Sequence, residues 1–196
     1  MNILLTIAII VTLVFLVLLG LMWLRKLQFD AVHRNFLLLA EKIRGKVIRH
    51  GFAERPRFSG NFKGQDISIS FTTEGGKGER KYYLTLTMQA KSKINFTILS
   101  SGWLEKREFT PEEERRMISL DDGAYLLETS KQGQTKKLSP EKIEEVIHSI
   151  HPFAYILMAK SGMILERAST NIATDTHPDQ ILPLLEGMYA LKRLVE

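Results

Sequence analysis

The chain has 196 residues, 44% apolar and 25% charged, the balance of an ordinary folded protein rather than a disordered, collagen-like or low-complexity one. It has no cysteine, which excludes a disulfide scaffold, a thiol nucleophile and a cysteine zinc site. The formal charge of +5 is unevenly placed: residues 1–24 carry no charged side chain, residues 25–57 hold nine Lys and Arg against three Asp and Glu, and the remainder is net −1.

The first element is a membrane span. From Ile3 to Leu24 the only polar side chains are Thr6 and Thr12, whose hydroxyls can bond back to a helix backbone. At 1.5 Å per residue this stretch makes roughly 33 Å of helix, enough to cross a hydrocarbon core of about 30 Å. Trp23 suits the interface, and Arg25 and Lys26 suit the headgroup layer, where anionic lipids would be their partners. A cleaved signal peptide would need a basic start, a shorter apolar run and a small-residue cleavage site, and the sequence shows none of these. The positive-inside rule predicts a single-pass protein of the cell membrane with the domain after the span in the cytoplasm. The basic excess lies beside the bilayer, so no nucleic-acid partner is expected.

Residues 25–51 read as a basic amphipathic juxtamembrane helix. Phe29, Val32, Phe36, Leu39 and Ile43 recur three and four apart, and Gly45 and Gly51 mark its end. The stripe can pack on its own domain, pair with a second copy in a homodimer, or lie on the bilayer. Residues 52–196 then read as one soluble domain. Phe58–Phe71 alternates around two glycines as a hairpin, and Lys81–Ala90 and Asn95–Leu99 read as strands. Thr110-Pro111 opens a short helix, Asp121–Gly123 is a turn and Ala124–Glu128 a strand. Ser139-Pro140 starts a helix that Pro152 ends. Phe153–Met158 and Met163–Arg167 flank a short loop, and a last helix spans Pro178–Val195, its regular part starting nearer Leu182 because of Pro183. The fold class is α+β: an N-terminal transmembrane helix (1–24), then an antiparallel sheet with helices on one face.

The order of span, basic helix, Gly60-x-x-x-Gly64-Gln65-Asp66-Ile67 hairpin, Leu84-Thr85-Leu86-Thr87 strand and strand–helix–strand-pair–helix ending resembles uncharacterised bacterial single-pass membrane proteins that carry a domain of unknown function. The resemblance implies a bacterial source and lends no catalytic residues.

Candidate chemistry is sparse. Glu144, His148 and His151 have helical spacing for metal ligands, but that side flanks the apolar face of Ile143, Val146, Ile147 and Ile150, so a solvated helix end explains them better. Glu74–Arg80 lacks the P-loop pattern: Phe71 stands where its first glycine belongs and Gly78 where Ser or Thr should follow Lys77. Glu112, Glu113, Glu114, Asp121 and Asp122 could hold a cation but read as a helix start and a turn. Tyr82, Tyr83, Phe96 and Trp103 could stack on bases but read as core. No catalytic, cofactor-binding or metal residue is assigned. The expectation is a membrane-anchored, non-enzymatic interaction or assembly domain with an unknown protein partner. The alternatives are an anchored enzyme built on Glu144, His148 and His151, or a sensor relaying through the Phe29–Ile43 stripe.

Overall fold

The computed structural model describes residues 3–51, 54–75, 80–104, 110, 117–129 and 138–196. Its first element, α1 (Ile3–Lys42), is one unbroken helix of 40 residues. The apolar window at its start has no residue buried against the rest of the chain and is long and apolar enough to cross a membrane. The same helix then enters the core, where Phe29, Val32, Phe36 and Leu39 are buried. The amphipathic stripe is therefore covered by its own domain, which removes the readings in which it pairs with a second copy or lies on the bilayer.

Among the described residues nine strands form one sheet: β1 (Gly45–Ile48), β2 (Arg57–Phe62), β3 (Gln65–Gly75), β4 (Arg80–Met88), β5 (Phe96–Ser100), β6 (Met117–Leu120), β7 (Tyr125–Thr129), β8 (Tyr155–Ala159) and β9 (Gly162–Ser169). They lie in the order β1-β2-β3-β4-β9-β8-β5-β7-β6, and every pair is antiparallel. The short helix α2 (Ser101–Leu104) follows β5, and a 3-10 turn (Asp121–Gly123) joins β6 to β7. The remaining helices among the described residues are α3 (Pro140–Ile150), α4 (Ile172–Asp175) and α5 (Pro178–Val195).

The register explains how the core forms. Phe58 pairs with Ile69, Ile69 with Leu86, Leu86 with Leu165, Leu165 with Ile156, Ile156 with Ile98 and Ile98 with Leu127. Side chains alternate along a strand, so one row of apolar residues crosses the sheet on a single face. That row joins one core with Phe36 from α1, Ile147 from α3, Ile172 from α4 and Leu185 and Met188 from α5. The expected α+β architecture, with helices on one face, is what the chain adopts.

Several boundaries differ from the sequence reading. The helix expected over residues 25–51 ends at Lys42, and Gly45–Ile48 is a strand at the sheet edge. The reason is steric and lies far along the chain. A Cβ on Gly60 would sit 2.4 Å from the Arg44 carbonyl oxygen, and one on Gly45 would sit 2.3 Å from the Phe58 ring, so two glycines let β1 close onto β2. Lys63 and Gly64 both have positive φ and form the two-residue turn between β2 and β3. The last helix spans Pro178–Val195 as expected, but it is helical from Pro178 onward rather than regular only from near Leu182; His177 caps it, and Asp179 and Pro183 are exposed, so the carbonyl that Pro183 leaves unpaired can face water. The short helix expected from Thr110-Pro111 falls on residues 111–116, outside the described residues.

Candidate functional site

The two faces of the sheet differ in chemistry. The face away from the longer helices carries the other parity of each strand. Towards β2, β3 and β4 it presents Ser59, Ser68, Ser70, Thr85 and Thr87, with the Ser68 and Thr87 hydroxyls 2.8 Å apart. Towards β9, β8, β5 and β7 it turns apolar: Ile164, Leu157, Tyr155 and Leu126 lie there at intermediate exposure. A shallow depression of about 450 Å³ marks the border, lined among others by Ser68, Thr87, Gln89, Leu157 and Ile164.

An aromatic group closes one end of this face. Trp103, on α2, lies edge-on to Tyr83 at 5.5 Å between ring centroids and tilted against Tyr155 at 5.8 Å. Tyr83 is buried beneath it, while Trp103 itself keeps 38% of its surface exposed. Burial raises the Tyr155 hydroxyl pKa, and the Glu166 carboxylate beside it raises it further. The four aromatics considered for base stacking are thus split: Phe96 is core, Tyr82 packs near Phe71 on the helix side, and only Tyr83 and Trp103 share the open side. Trp103 is not the core residue the sequence reading made it.

The helix trio does not converge on a point. Glu144 accepts a hydrogen bond from the Asp121 backbone N–H at 3.0 Å, and His148 Nε2 lies 3.6 Å from the Asp121 carboxylate. His151 instead bonds the Tyr125 hydroxyl through Nδ1 at 2.6 Å. Among the described residues no group of three His, Asp or Glu side chains could hold a metal. Asp121 and Asp122 sit in a turn with positive φ, which fits the turn reading. Glu112, Glu113 and Glu114 lie outside the described residues, as do residues 76–79 of the glycine-rich segment. Its flanks Gly75 and Arg80 are paired as the last residues of the β3–β4 ladder.

The membrane-proximal end is built differently. The Arg25 guanidinium lies 5.2 Å from the centre of the Phe29 ring; Phe29 and Phe71 are 5.7 Å apart; the Arg55 guanidinium lies 5.7 Å from the Phe71 ring. Arg49 donates to Asp30 at 2.7 Å, and that hydrogen bond holds the Asp30 carboxyl below the ordinary carboxylate range. Farther from the span, Asn35 donates to the Ala173 carbonyl at 2.6 Å and Lys42 meets Asp179 at 3.0 Å. These contacts fix the domain to the helix from its first turn past the apolar run, so no loose linker intervenes between span and domain.

No family model matches the chain. Among solved structures, the fold is similar to the crystal structure of the mycobacterial trehalose monomycolate transport factor A, with a TM-score of 0.54, at 10% identity, over 83% of this chain and 93% of that one. At that identity the likeness is one of fold.

Proposed function

We propose that this chain is a membrane-anchored, non-enzymatic accessory domain that presents the open face of its sheet to a protein partner, on the cytoplasmic side of a bacterial cell membrane. The observation that carries the reading is the partly exposed apolar row of Tyr155, Leu157, Ile164 and Leu126, ending at Trp103. Rows of this kind beside polar residues are typical of interaction surfaces, and exposed Trp and Tyr supply much of the energy in such contacts. The rigid join between α1 and the sheet would hold that face at a fixed angle to the bilayer. A transport factor of similar fold and the resemblance to uncharacterised bacterial single-pass proteins both fit an accessory role. The enzyme reading gains nothing, because Glu144 and His148 are both turned to Asp121 while His151 is held apart by Tyr125. The sensor reading needs a free stripe, and Phe29, Val32, Phe36 and Leu39 are buried.

The test is photo-crosslinking in intact membranes. A photoreactive residue at Leu157 or Ile164 should give a discrete heavier adduct, whereas one at Leu38, exposed on α1, should not. Monomer alone from every position would defeat the proposal.

A further inference from the structure

Pro56 precedes β2 and supplies no backbone donor, and β2–β3 pairing stops at Phe58 and Ile69 while β3 runs on to Gly75. The gap so left is a cavity of about 230 Å³ lined by Arg55, Arg57, Ser70, Phe71 and Thr72. Arg55 is locked at its wall, donating to the Phe71 carbonyl at 3.3 Å and the Thr73 hydroxyl at 2.7 Å, with its guanidinium over the Phe71 ring. Arg57 is exposed, and its guanidinium has no partner among the described residues. Among the described residues no acid pairs with either arginine; Asp30 is held by Arg49, and Glu54 accepts from the His50 backbone N–H. Two guanidinium groups and two hydroxyls thus line one small recess. The Arg25–Phe29–Phe71–Arg55 series ties that recess to the first turns of α1 past the apolar run, which on the anchor reading is the headgroup level.

We infer that this recess binds the phosphodiester headgroup of an anionic phospholipid. Arg57 supplies a fork of donors to the two free phosphate oxygens, Arg55 adds fixed positive charge, and Ser70 and Thr72 are placed to donate from the floor. The volume lies below the roughly 300–1,000 Å³ of pockets that enclose whole drug-sized ligands, so it suits a headgroup whose tails remain in the bilayer. The inference rests on the anchor reading, because only a chain held at the membrane would meet this ligand there.

The experiment uses the full chain in neutral detergent. Thermal unfolding is followed while dihexanoyl phosphatidylglycerol, dihexanoyl phosphatidylcholine or inorganic phosphate is titrated in, since a ligand of the folded state raises the midpoint. Phosphatidylglycerol should raise it at lower concentration than phosphatidylcholine. R57Q should weaken that response at least about tenfold, the loss of one charge-assisted contact, with the unliganded midpoint unchanged. R57K should respond in between, and the R25Q/K26Q double variant should respond as the parent does. Equal response of parent and R57Q, or loss of response in R25Q/K26Q as complete as in R57Q, would overturn the recess as the site. A matching response to inorganic phosphate alone would overturn the lipid assignment. Alkaline carbonate extraction of membranes tests the anchor separately: release of the parent chain would defeat that reading whatever the titrations show.

Discussion

Phe36 tests whether the half of α1 beyond the apolar run is a structural part of the domain. Its side chain is 0% exposed and its ring lies 6.1 Å from that of Phe58 on β2. Replacing it with alanine removes a fully buried ring and leaves a cavity between helix and sheet. Such changes cost about 3–5 kcal/mol, of which the ring–ring contact accounts for about 0.5–1.5 kcal/mol. Against a domain stability of about 5–15 kcal/mol, that is a large fraction. The assay is a urea titration of the full chain in neutral detergent, followed by near-ultraviolet circular dichroism. With a slope of about 2 kcal/mol per molar urea, the midpoint should fall by roughly 2 M. Leu38→Ala, two residues on and at 44% exposure, should change stability by less than about 0.5 kcal/mol. The F36A/F58A double variant should cost less than the two singles added, because they share one contact. A loss below about 1 kcal/mol for F36A, with cooperative unfolding retained, would refute the claim that α1 belongs to the core.

Gly187→Ala should destabilise by about 1–3 kcal/mol although alanine favours helix by about 1 kcal/mol: the new Cβ would sit 2.1 Å from Ile150 Cγ2, where α3 meets α5, and the same urea titration reads the sign. Asp30→Asn should flatten the acid limb of stability. Arg49 lowers the folded-state pKa of Asp30 from 3.8, so its contribution is present above that value and lost as pH falls below it. Midpoints of the two chains between about pH 5 and pH 2 should therefore converge on acidification, and parallel curves would count against the pair. Tyr125→Phe concerns the opposite limb. Burial raises the Tyr125 hydroxyl above 10.0, with the charge of Asp121 adding to it, so its contribution is full below pH 10 and lost as pH rises through the folded value. The variant should be less stable at neutral pH, having lost the hydrogen bond to His151, but should lose less as pH rises.

How much of this was legible beforehand depended on how local the physics was. The span needed only its own composition: 22 residues without a charge are better solvated by lipid than by water, whatever follows them. The strands of the Phe58–Phe71 hairpin and the β8–β9 pair announced themselves by alternation and by the turn residues between them, because pleat and turn are short-range properties. The face of α3 was readable for the same reason, from Ile143, Ile147 and Ile150. By contrast, β1 was missed because Lys46, Val47 and Ile48 followed a helical stripe without a break in pattern; what makes them a strand is the room left by Gly60, fifteen residues on from Gly45 across the pairing.

The candidate sites divide in the same way. The spacing of Glu144, His148 and His151 was correct as helical geometry, but the chemistry turned on Asp121 and Tyr125, which approach from another hairpin. Trp103 looked like core by type, and only the stacking of α2 over Tyr83 and Tyr155 leaves it half uncovered. The recess between Arg55 and Arg57 had no sequence signal at all, since it exists where one strand stops and its neighbour continues. Sequence alone determined which stretch is long and apolar enough to cross a membrane and the class of the fold, because solvation and periodicity act residue by residue. Tertiary structure decided which face stays open and which cations stay uncompensated, because both depend on segments that meet only after the chain has folded.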